Sequence, residues 1–202
     1  MFRMPLLFAL ALTALEVSGC SVVSKASAPL DAYTLQPLAV AQGQNGSRHL
    51  VVDLPTASGA LATDRILIKP NPLQAEYLPK GRWVDPVPQL VQTLLVASLQ
   101  NAGGFRLVGR DAAGLTPDFV ALVEVNAFQA EAPPPGSTAT LVRVGLRLSL
   151  LSAPDNRLIA TRRFDATEVA ASTEALPLVT AFDVATRQVL AAAVTWVSKT
   201  AH

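Results

Sequence analysis

The stretch ATLVRVGLRLSLL, residues 139–151, constrains the fold more than any other part of this chain. Val142, Val144, Leu146, Leu148 and Leu150 fall on one side of an extended backbone, and Arg143, Arg147 and Ser149 on the other. An alternation of period two makes a strand with one face on a core and one face in water. The next residues, SAPDNR, supply Pro154, Asp155 and Asn156 for a tight turn. The stretch RLIATRRFDATEVA then returns as the antiparallel partner, with Leu158, Ala160, Phe164 and Ala166 expected inward and Arg163 outward. A long hairpin with one apolar face needs something apolar laid across it.

Two segments are suited to that. In DPVPQLVQTLLVASLQNAGGF, residues 85–105, Val87, Leu90, Val91, Leu94, Leu95, Ser98 and Leu99 recur at helical spacing. Asp85 is expected to cap this helix, Pro86 to fit its first turn and Gly103 to end it. Its other face, Gln89, Gln92, Thr93, Val96 and Gln100, carries no charge, so part of it is expected to be covered. A second helix is expected from Leu176 to Lys199, with a stripe of Leu178, Phe182, Ala185, Val189, Ala192 and Trp196 and an Asp183–Arg187 pair one turn apart. Shorter β-prone runs lie at AYTLQPL, RHLVVDLP, RILIKP and FRLV, and DFVALVEVNAFQAE is a longer strand. The proline-rich PNPLQAEYLPKGRWVDP, residues 70–86, is expected to be a loop. The fold class is α/β or α+β: a single domain with a mixed sheet, a long antiparallel hairpin and two main helices.

Composition narrows the functions. Net charge is +1, the pI is near 7.9, and 15% of residues are charged, so no basic field for nucleic acid exists. Mean hydropathy is +0.37. The only histidines are His49 and His202, no G-x-S-x-G elbow or GxxxxGK[ST] loop is present, and no Cys/His cluster stands at metal-ligand spacing. Glu124 and Glu131 sit on one strand rather than opposed across a cleft, as a glycosidase pair would be. The expectation is a protein that is not an enzyme, with no metal and no cofactor. Two groups of residues are candidates for contact with a partner. Tyr77 and Trp83 are the aromatic pair of the proline-rich segment, with core packing as the alternative for Trp83. Arg143, Arg147 and Arg163 share one side of the long hairpin, where they form either a cationic docking face or an ordinary solvated one.

The single cysteine, Cys20, follows an N-terminal cation (Arg3), an apolar run from Met4 to Leu15 and the small residues Ser18 and Gly19. That is the layout of a secretory signal, and the run is shorter than the roughly 20 residues a membrane-spanning helix needs. Val17, Ser18, Gly19 and Cys20 resemble the lipobox of bacterial lipoproteins, which implies cleavage before Cys20 and a diacylglyceryl and N-acyl lipid on it. Two or more chains hold a protein on a membrane stably, where one does not. The expected organisation is a signal peptide over 1–19, a lipidated tether over 20–31 and a domain over 32–202. The tether extends on the order of 30 to 40 Å. Ser21, where inner-membrane lipoproteins commonly carry Asp, points to the outer membrane.

Taken in order, the lipobox, YTL at Tyr33–Leu35, GRWVDPVPQLVQTLL, DFVALVEVNAFQAE, RRFDATE and the terminal TWVS resemble the ABC-type transport auxiliary lipoprotein components, the PqiC-like lipoproteins. The resemblance implies a compact α/β domain related to the N-terminal domain of TolB-type proteins. It also implies a lipid-anchored accessory at the periplasmic face of the outer membrane, beside an Mce-domain (MlaD-like) protein and its ABC transporter, which move lipids or other hydrophobic molecules, with oligomers on the Mce assembly as a further expectation. A lipid-binding carrier with its own apolar pocket and an envelope-assembly scaffold are the alternatives.

Overall fold

The structure, a computed structural model, describes residues 29–40, 46–110, 116–133, 136 and 139–201. In chain order the elements are β1 (Asp31–Tyr33), β2 (His49–Val52), β3 (Thr56–Ala57), β4 (Arg65–Asn71), β5 (Gln74–Trp83), α1 (Val87–Ala102), β6 (Leu107–Gly109), β7 (Phe119–Glu131), β8 (Leu141–Ser152), β9 (Arg157–Val169) and α2 (Ala175–Thr200). Among the described residues the strands form one mixed sheet, and both helices lie on one of its faces. This is the α/β single domain expected from the sequence.

The sheet is organised around β7. Along one edge β7 pairs antiparallel with β8 over its whole length, and β9 pairs with β8 in turn. Along the other edge it pairs in parallel with β2 at Phe119–Ala121, then β3 at Glu124 and Val125, then β4 at Gln129–Glu131. The sheet therefore forks into two arms, β2–β6 and β4–β5–β1. The residues expected as a proline-rich loop form most of a β-hairpin instead. Asn71 Oδ1 accepts the Leu73 N–H at 3.0 Å, which closes the turn around Pro72 and sets the two strands antiparallel. The prolines are tolerated because Pro72 sits in the turn and Pro79 falls where β4–β5 pairing is interrupted.

Two one-residue insertions decide which side chains face the helices. Asn126 is an extra residue in β7, between the pairs Val125–Leu146 and Ala127–Gly145. It changes the phase of the alternation, so Val123 and Val125 face inward before it, and Phe128 and Ala130 after it. Ile159 is an extra residue in β9 between Leu158 and Ala160. The same phase change turns Leu158 out to 56% exposure and brings Ile159 against the core, which corrects the expected inward Leu158. Ala160, Phe164 and Ala166 keep to the helix side, opposite Leu150, Leu146 and Val144.

The helices follow their apolar stripes. In α1, Gln92 and Val96 of the uncharged face are buried, and Gln92 Nε2 donates to the Val52 carbonyl at 2.9 Å. The helix starts on Pro86 without a side-chain cap, so Asp85 does not cap it, and it ends at Gly103 with φ of 73°. In α2 the expected stripe holds through Val189, beyond which the buried side turns further round the helix. Ala192 is exposed and Leu190, Ala193, Val194 and Val197 are buried. Trp196 is half-buried, edge-on to Phe164 at 5.8 Å. Asp183 pairs with Arg187 at 3.1 Å and also accepts the Gln36 N–H at 2.9 Å, tying α2 to the segment after β1.

Trp83, the last residue of β5, sits between β7 and α2 with 0% exposure. Its ring meets Phe128 edge-on at 5.6 Å and Phe182 edge-on at 5.1 Å, and the two phenyl rings are 5.2 Å apart. The three rings join one sheet arm, the central strand and the C-terminal helix. Truncating a buried aromatic of this size costs about 3–5 kcal/mol. Trp83→Ala is therefore expected to lower the unfolding free energy by that amount in urea titrations, and Tyr77→Ala by about 1 kcal/mol or less. The opposite ranking would contradict this core.

Candidate functional site

The face of the sheet away from the helices is the open one, and it carries the three arginines singled out above. Strand alternation puts Arg143 and Arg147 of β8 and Arg163 of β9 on that face, with Arg147 directly opposite Arg163. Each has a carboxylate. Arg143 donates through Nε and Nη2 to the two oxygens of Glu131 at 3.0 and 3.2 Å. Arg147 reaches Glu124 at 3.2 Å, and Arg163 reaches both oxygens of Asp165 at 2.7 and 2.8 Å. The open face is thus a row of ion pairs, with Glu131 and Glu124 supplied by β7 and Asp165 by β9 itself. Gly145 makes room for one of them: a Cβ there would stand 2.7 Å from Asp165 Oδ1.

The pairing sets the ionisation of these groups. The Arg143 guanidinium holds the Glu131 carboxyl below the usual carboxylate range, against the opposing effect of partial burial, with further help from the Gln129 amide. Arg163 does the same for Asp165. Arg143 and Arg163 are raised in turn by those carboxylates.

Where β3 is only two residues long, a groove opens beside β7 on this face. One part, of about 330 Å³, is lined by Leu54, Leu122, Glu124, Arg147 and Ser149. It continues past Thr56 and Glu124 into a part of about 410 Å³ bounded by Ser58 and Asn126. Asn126 donates to Glu124 at 2.7 Å, and its buried Oδ1 has no partner. The groove offers apolar, hydroxyl, amide and paired charged groups together. Among the described residues no group of three or more His, Cys, Asp or Glu is placed to hold a metal.

The other sequence candidates fall elsewhere. Cys20, with Val17, Ser18 and Gly19, lies outside the described residues. Trp83 is a core residue with no surface to offer a partner, which corrects its candidacy. Tyr77 is 37% exposed on β5, where its hydroxyl donates to the Ala60 carbonyl at 3.3 Å and its ring lies under the Arg65 guanidinium at 5.6 Å. It is remote in the sheet from the arginines, separated from them by β4 and β7. Sequence reasoning missed Glu124, Glu131 and Asp165 as partners of the arginines. For Glu124 and Glu131 the signal is an acid–base match with β8 that only the register makes visible, whereas Asp165 stands two residues from Arg163 on the same strand.

With this geometry in hand, the comparisons are specific. The model of the ABC-type transport auxiliary lipoprotein component family matches residues 33–194, and the chain belongs to that family. A crystal structure of protein XCC0632 from Xanthomonas campestris superposes with a TM-score of 0.74 at 23% identity, covering 85% of this chain and 95% of that one. A second solved protein superposes with a TM-score of 0.60 at 15% identity, covering 82% of this chain and 99% of the other. These likenesses show the fold. An uncharacterised protein of Bradyrhizobium diazoefficiens is 27% identical over 153 residues, which are 74% of this chain and 39% of that protein. The chain thus spans well under half the length of that relative.

Glu131 and Asp165, both held low in the folded protein, bind protons more readily once it unfolds. Their stabilisation is complete above the unfolded-state values near pH 4 and is lost as pH falls through the lowered folded values. The unfolding free energy is expected to be flat above about pH 5 and to fall below about pH 4. A Glu131→Gln/Asp165→Asn variant should show a shallower acid limb in urea titrations at stepped pH. An unchanged limb would mean the pairs are too solvent-screened to matter.

Proposed function

We propose that this chain is the lipid-anchored periplasmic accessory of an Mce/MlaD-type ABC transport system that moves lipids or other hydrophobic molecules across the envelope. It is held on the outer membrane through Cys20 and acts there as a docking module without catalysis. The observation that carries this reading is the family match over residues 33–194, which starts shortly after the lipobox-like Val17–Cys20. Diacylglyceryl and N-acyl groups on Cys20 would provide the anchor, and the tether would give the domain reach from the membrane.

The packing favours docking over carriage. A carrier would hold an acyl chain between sheet and helices, and Trp83, Phe128 and Phe182 fill that space here. The surface grooves mix charged, hydroxyl and apolar groups, which suits a protein partner better than acyl chains.

The test is expression of the full chain and of Cys20→Ala in a Gram-negative host together with the Mce-type protein of its own transport system. The expected outcome is a mass gain of a diacylglyceryl-plus-acyl group, outer-membrane fractionation and co-purification of the Mce-type protein. The mass gain and the membrane fractionation should both be lost in Cys20→Ala. An unmodified, freely soluble wild-type protein would contradict the anchor. A lipidated protein that fails to retain the Mce-type protein would contradict the partner, and co-purified lipid in its place would favour the carrier.

A further inference from the structure

The long hairpin ends the sheet on an open edge. Strand β9 spans Arg157–Val169, and among the described residues it pairs only with β8. An edge strand presents a row of free N–H and C=O groups, and proteins usually blunt it with prolines, bulges or brevity. The other outer strands are short or interrupted: β1 and β6 have three residues each, and the part of β5 that β1 leaves open, Gln74–Lys80, carries Pro79 and pairs irregularly with β4. In β9 the bulge at Ile159 guards only the first part. From Ala160 to Val169 the register against β8 is unbroken and no proline intervenes. Phe164 packs this stretch beneath α2, edge-on to Trp196.

A groove of about 400 Å³ lies beside the same stretch, between the end of β9 and the first turns of α2. Glu168, Val169, Leu176, Pro177, Thr180 and Val184 line it. Leu176 is 65% exposed and Val169 55%, the two largest apolar exposures at this end of the hairpin. The charge here also differs from that of the open face. Among the described residues Glu168, on the helix side of β9 opposite Val142, makes no ion pair and is met by the Gln188 amide at 3.4 Å.

We propose that the free edge of β9 and the groove beside it receive an extended segment of a protein partner, with apolar side chains at alternate positions and Lys or Arg two positions from the one that fills the groove. A strand added to β9 lies about 4.8 Å from it, and every second side chain turns toward α2. An apolar side chain turned that way then rests on Leu176, Pro177 and Val184, and a cation two positions along, on the same side, meets Glu168. This names the surface for the docking role proposed above and rests on that role.

The test uses the full, lipidated chain in detergent and two synthetic peptides of about ten residues that alternate Val and Thr, one ending in two Lys and the other in two Glu. Binding is followed by fluorescence anisotropy, and backbone amide exchange is read at each residue. The Lys peptide is expected to bind about tenfold or more tightly than the Glu peptide. It should protect alternate amides over 161–169, those turned away from β8. Leu176→Asp should weaken it, and Glu168→Lys should reverse the preference. Binding of neither peptide, or binding without protection of β9, would overturn the inference. So would protection of 161–169 that rises with the protein's own concentration and needs no peptide, since a second copy would then hold the edge, or protection conferred by phosphatidylethanolamine vesicles alone. These readouts are separate from the Mce-type co-purification. If that complex is retained but survives Leu176→Asp and the charge reversal unchanged, the surface is refuted and the partner stands. Loss of the complex from the wild-type chain refutes the partner, and the peptide readouts still decide the surface.

Discussion

The contact of the Trp83 indole with Phe128 and Phe182 is the interaction on which the rest of the architecture depends. The sheet is forked, and a fork has no hydrogen-bond ladder to hold its arms at a fixed spacing. Trp83 ends the strand of one arm, Phe128 lies on the central strand just beyond the bulge, and Phe182 comes from the C-terminal helix. Edge-on packing of the indole against both phenyl rings fixes the arm, the trunk and the helix relative to one another. It adds stability beyond the area buried. Phe128 reaches this position only because Asn126 shifts the phase of the alternation, so the bulge and the aromatic cluster are two parts of one device.

The strongly periodic elements were legible in the sequence because their physics is local. The alternation of residues 141–150 and the helical spacing of 87–99 and 178–189 each depend on neighbours one turn or two residues away. Three features were not legible, each because a distant partner decides it. The hairpin at 65–83 carries three prolines, which suggested a loop until the tolerated positions were known from the pairing with β4. Leu158 was assigned inward because a bulge at Ile159 has no mark in a run of β-branched and small residues. The charge balance of the open face was left undecided because Arg143 and Arg147 have no acidic neighbour on their own strand. Their carboxylates lie on β7, more than ten residues earlier.

The division of labour between the two faces follows from the same packing. One face is consumed by α1 and α2, so whatever the domain recognises must meet the open sheet, the strand edges or the flank of α2. The open face is charge-balanced within itself, which keeps it soluble without marking it for an acidic or basic partner. The edge of β9 and the acidic, apolar flank of α2 are less complete by themselves.

The central claim is that this domain works by docking through surfaces the helix layer leaves free. Hydroxyl-radical footprinting of the lipidated chain, alone and assembled with its transport partner, tests it most directly. The account predicts reduced labelling on the sheet side and along β9 and the start of α2, with buried Trp83, Phe128 and Phe182 unlabelled in both states. Labelling that is the same in both states, or new exposure of that aromatic cluster on assembly, would contradict it.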